Sequence, residues 1–235
     1  MGVDELLRLA SSPGSLGGSE RVALAAELRR RRSGIVPLRI AEAILEVSIS
    51  SARKIEEGLA STDKNAPSLS DGVFQEVVTE FAYLLIHLCY RDSFAVLADP
   101  GKRIALIHSV FNYVLLFGKD SPMSEAHRLP AFTHRETQLQ PGIRVVRDGM
   151  DEMSDREREY APLPLFAGKG APLVGTVFWE FGRHIASTCG NRSLQVQANL
   201  IGCEAYTSVL PAFSAMREPR KQFSFFRRLF ERMRA

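Results

Sequence analysis

The sequence predicts an all-α protein, a bundle of about seven to eight helices around a central apolar αα-hairpin. Three observations predict it. Apolar residues recur at helical spacing along most of the chain. The breaks between those stretches are Pro, Gly, Ser and Asp clusters, the residues that cap and stop helices. The chain of 235 residues is 45% hydrophobic and 24% charged, enough apolar matter for one sizeable core.

Residues 1–19 read as a flexible segment, ending in the Gly/Ser/Pro run SSPGSLGGS. Residues 20–219 read as one helical domain. Its first helix, 20–32, ends in four arginines, where positive charge suits the helix dipole. Ser33-Gly34 closes that helix, and Pro37 lies near the start of the next, Leu38 to Leu59. As a helix-turn-helix the pair is a poor match, since the turn is wrong and the second helix lacks a cluster of base-reading side chains. Ser70 or Asp71 can cap the central helix, 72–97.

On that helix Val73, Val77, Phe81, Leu84 and Leu88 share a broad face, which Val78, Leu85 and Cys89 extend. Glu76, Glu80, Tyr83, His87 and Arg91 form one narrow polar strip. Buried charges are normally paired, so this seam reads first as a ladder bonded to charges on a neighbouring helix. The expected partners are polar groups of the 173–188 helix, such as Glu180 or His184. Asp99-Pro100-Gly101 then stops the helix, and a second apolar stretch, Lys102 to Phe117, completes the hairpin, with Gly118 as its cap. Neither helix reads as a membrane span, because His87 interrupts the apolar run Phe81 to Tyr90 and Glu80 and Arg91 bound it.

Residues 121–140 are ambiguous, with Pro130 between His127 and His134. The charged run Asp148 to Glu159 reads as a solvent-facing helix, followed by a Pro/Gly loop as a lid over the bundle. Leu173 to Thr188 is a helix ended by Gly190, with Glu180 and His184 one turn apart. Ser193 to Leu210 comes next, ended by Pro211. Val196, Leu200, Cys203 and Leu210 give it a second apolar strip, as on a helix sandwiched between neighbours.

Residues 220–235 read as a basic amphipathic helix. Phe223, Phe226, Phe230 and Met233 lie on one side, and Arg227, Arg228, Arg232 and Arg234 surround the rest. The segment carries six Lys or Arg against Glu231, so its charge is +5, and the rest of the chain is slightly acidic within a total of +3. The basic balance therefore belongs to the tail and does not argue for nucleic acid.

Chemistry is sparsely marked. There is no GxSxG, GxGxxG or HExxH, and Lys169 does not sit in P-loop spacing. Cys89, Cys189 and Cys203 form no CxxC pair, which points to reduced thiols in the cytoplasm. The Glu–His spacings miss the Glu-x-x-His grammar of di-iron bundles, so no metal and no cofactor is expected. The reading is a non-catalytic interaction or regulatory protein, oligomeric in one form of that reading. Its partner is protein, either a second copy or another chain. The alternatives are a metal- or small-ligand-binding bundle enzyme using Glu76, Glu80, His87, Glu180 and His184, and an adaptor on an anionic membrane. The interaction residues are Phe223, Phe226, Arg227, Arg228, Phe230 and Arg232 of the tail.

Overall fold

In the computed structural model the described residues are Ala23, Glu27, 36–62, 68–120, 135–140, 143–147, 149–168 and 173–217. The four-arginine run, His127, His134, Lys169 and the tail 220–235 lie outside them. Among the described residues the bundle is all-helical, with six α-helices: α1 Val36–Thr62, α2 Asp71–Val96, α3 Pro100–Asp120, α4 Gly149–Tyr160, α5 Val177–Thr188 and α6 Leu194–Ser214. A single 3-10 turn, Ala215–Arg217, comes after α6. The ambiguous stretch before α4 supplies a short antiparallel ribbon, β1 Arg135–Gln140 with β2 Ile143–Arg147, in which Arg135 pairs with Arg147 and Gln140 with Ile143.

Local chemistry sets the helix ends. The Ser70 hydroxyl accepts the Val73 N–H and starts α2. Asp99 does the same for α3, its carboxylate accepting the Gly101 N–H at 2.8 Å, with Pro100 in the first helical position, where a missing N–H costs nothing. Thr176 caps α5 through the Trp179 N–H. Gly190 at φ +62° reverses the chain after α5, a conformation that glycine adopts without a Cβ penalty. Two expected stops fail. Helix α3 runs through Gly118 to Asp120, and α6 runs through Pro211 to Ser214. Pro211 removes one helical N–H, and the chain tightens into the 3-10 turn within one further turn.

Helix α2 packs against each of the other five helices and the 3-10 turn. Phe81, Leu84, Leu88 and Cys89 are fully buried within it. By length and composition α2 could cross a membrane, yet most of that apolar length lies inside the bundle. Helices α5 and α6 approach closely at Gly182, where a Cβ would fall 2.4 Å from the Gln195 carbonyl oxygen. That contact brings Phe178 and Phe181 of α5 onto Gly202 of α6. Among the described residues nothing is packed over the outer strip of α6: Val196, Leu200 and Leu210 are 55%, 60% and 39% exposed.

Candidate functional site

The polar strip of α2 faces α4. The sequence of α4, GMDEMSDREREY, has few apolar residues, so it docks through Met153, Tyr160 and charges rather than through a broad hydrophobic face. Glu80, with 7% of its side chain exposed, accepts two hydrogen bonds from Arg156, at 2.6 Å from Nη2 and 2.8 Å from Nε. This is the bidentate fork that suits guanidinium and carboxylate. Burial alone would lower the Arg156 pKa, but the hydrogen bonds and charge of Glu80 outweigh it and hold the guanidinium protonated.

Next along the strip, the Tyr83 hydroxyl donates to Glu152 at 3.1 Å. Burial, then the Glu152 carboxylate, push that phenol well above its ordinary value, so it stays neutral. His87 is buried, and its Nδ1 lies 2.6 Å from a Glu157 oxygen. Its Nε2 is buried with no hydrogen-bond partner. Arg91 closes the strip, donating to the Leu163 carbonyl at 2.6 Å and fastening the loop after α4.

A second cluster joins α4 to α5. Glu159 receives His184 Nε2 at 2.8 Å and Arg183 at 2.7 Å, with Arg156 3.8 Å away, while Arg183 also reaches Glu180. Tyr160 fills the space between the clusters. It is fully buried and edge-on to both His87, at 5.4 Å between centroids, and His184, at 6.1 Å. The expected pairing is thereby corrected: the partners of Glu80 and His87 are Arg156 and Glu157 of α4, not Glu180 and His184. The charged run of α4 is likewise not simply solvent-facing. Its inward residues carry the charges that complement the seam. The one sequence signal was the placement of Glu152, Arg156 and Tyr160 at successive turns, with Met153 and Glu157 beside them.

Glu76 sits half-buried toward the N-terminal end of the strip. It acts on Cys189, whose thiol is pushed up to about 11 by burial and then by the Glu76 charge. Cys89 is fully buried, and burial, then Asp92, push its thiol well above the ordinary value. Both stay protonated near neutrality, the unreactive form. Among the described residues no group of three His, Cys, Asp or Glu side chains is placed to hold a metal ion.

Beside the seam a cleft of about 170 Å³ opens between α2, α3 and α4, walled by Tyr83, Ile86, His87, Ile107, Met153 and Glu157. A carboxylate on Nδ1 fixes the ring orientation of His87, as in sites where imidazole acts as a base or ligand. The proposed tail residues Phe223, Phe226, Arg227, Arg228, Phe230 and Arg232 lie outside the described residues. No protein-family model matches this chain, and neither a curated protein nor a solved structure matches it.

Proposed function

We propose that this chain is a non-catalytic helical interaction module whose docking surface is the outward face of α6. The observation that carries the reading is the stripe of Val196, Leu200, Cys203 and Leu210 on a helix whose opposite face is core. A helix apolar on both sides is built to be covered on both sides. The seam supports the same reading from the other direction. Glu80, Tyr83, His87 and Arg91 are each engaged by α4 or the loop after it, an arrangement that fastens one helix to another. Within this reading α2 and α3 are the central hairpin, and 20–32 and 220–235 bring the helices to eight in a cytoplasmic protein.

The test is the double substitution Val196→Lys/Leu200→Lys. On a bare surface such changes fall within about 0.5 kcal/mol of neutral. On a covered one they bury charge, and the melting temperature falls or an oligomer dissociates in sedimentation velocity. A variant that matches the wild type in both measurements overturns the reading.

The cleft beside His87 favours a second reading, a site for a small aromatic alcohol. Its size is that of cavities that take a single benzene ring, at about 150 Å³, and the Glu157 carboxylate on its wall, held against His87, accepts a hydroxyl. Titration of phenol against toluene, followed on the His87 imidazole signals by NMR, tests it. Equal or absent response to the two overturns it.

A further inference from the structure

Resting on the reading of the α6 stripe as a docking surface, we infer that its occupant is the chain's own C-terminal segment, 220–235, folded back antiparallel along α6. The stripe begins at Val196 and ends at Leu210, fourteen residues or about 21 Å of helix. Its inner neighbours Ala198, Ile201, Ala205 and Val209 are all buried, so the helix is fixed in rotation and the stripe has one orientation, outward. The chain leaves α6 at its far end through the 3-10 turn Ala215–Arg217, and the segment beyond that turn has a matching length. Sixteen residues of helix span about 24 Å.

The chemistry of the two faces also matches. Pro219 stands where a new helix would begin, and Phe223, Phe226, Phe230 and Met233 recur at spacings of three, four and three. Laid along α6 with Phe230 opposite Cys203, the segment brings Phe223 to Leu210 and Met233 to Leu200, while Arg228 and Arg232 turn to water and Arg227 and Arg234 flank the seam. A helix this short is marginal alone in water and must be ordered by a surface. A short connection between two helices is the ordinary route to antiparallel neighbours. The stripe lies on the helix that directly precedes the segment, so closing this pair spends little chain entropy compared with capturing a separate molecule.

The native thiol of Cys203 makes the register testable. Cys203 and Phe230 stand nearly equidistant in sequence from the turn at Arg217, so folding back brings them together. The full chain carrying Cys189→Ser and Phe230→Cys is oxidised with copper–phenanthroline at alkaline pH, since burial, and then Glu204, push the Cys203 thiol up. The expected product is a disulfide within one chain between 203 and 230, on most molecules, mapped by mass spectrometry. Arg228→Cys, on the opposite face, gives at most a tenth of that yield. Disulfides between chains show a second copy on the stripe and overturn the inference while leaving the docking surface standing. Equal yields from both positions, or none from either, overturn it too. With none, a Val196→Lys/Leu200→Lys variant that matches the wild type removes the surface itself, and one that melts lower shows that another part of this chain covers the stripe. Salt-sensitive binding of the uncrosslinked chain to phosphatidylserine vesicles assigns the tail to a membrane instead.

Discussion

Arg156→Ala is expected to lower stability by about 3 kcal/mol, the scale of breaking a buried ion pair by removing one partner. For a protein of this size that is a fall of roughly 10 °C in melting temperature. The loss does not come from the attraction of the pair, since two desolvated charges roughly break even against apolar side chains of the same volume. It comes from what is left behind. Glu80 has 7% of its side chain exposed, and both of its oxygens take their hydrogen bonds from Arg156. Glu80→Ala is expected to cost less, because the Arg156 side chain is 25% exposed and Glu159 lies 3.8 Å from it. Arg156→Lys keeps the charge but not the fork, and should fall between wild type and alanine. The double variant Glu80→Leu/Arg156→Met should recover most of the loss. Thermal unfolding of the four variants checks the order. A double variant as unstable as Arg156→Ala would show that the pair contributes net stability of its own.

That order depends on α4, the element the sequence least announces. The apolar stretches of α1, α2, α5 and α6 were legible because burial of large side chains imposes a 3.6-residue period. Phe81, Leu84 and Leu88 on one face of α2 could be placed without knowing what covered them. The polar strip was legible for the same reason, as a narrow exception on an apolar helix. Its partner was not. GMDEMSDREREY reads as a solvated helix, and a charged helix held by Arg156, Glu157 and Glu159 has no hydrophobic period to betray its inward face. Pairing of charges between distant segments leaves no local trace, whereas Glu180 and His184, sitting beside an apolar face, drew attention for a reason that packing rather than pairing explains. The failed stop at Pro211 has a similar cause. Local propensity disfavours proline within a helix by about 3 kcal/mol, and burial of Val209, Phe213 and Met216 in the core offsets it. The strips on opposite sides of α6 were both visible, but only the three-dimensional arrangement separates the one that the described helices cover from the one they leave exposed.

Phe181→Ala is expected to have the largest effect of any single substitution in the core, about 4 kcal/mol. The Phe181 ring is fully buried and stands edge-on to Phe81 of α2, with centroids 4.8 Å apart. On its other side it meets Gly202 of α6, where a built Cβ would lie 3.0 Å from the ring. One side chain therefore ties α2, α5 and α6 together. Truncation removes the transfer free energy of the ring and leaves a cavity. Collapse is limited because Gly182, the next residue, already sits against the α6 backbone at Gln195. The aromatic geometry contributes separately, by about 1 kcal/mol beyond area burial. A double-mutant cycle separates the two effects. Phe181→Leu and Phe81→Leu each keep most of the volume, and together they should lose less than the sum of the single losses by about that amount. The experiment is denaturant unfolding with the slope held common to all variants, so that differences in midpoint report stability alone. If Phe181→Ala lost under about 2 kcal/mol, below the usual range for such truncations, the α5–α6 pair would be closing over the cavity, and the tight approach at Gly182 would not be the rigid contact that fixes it.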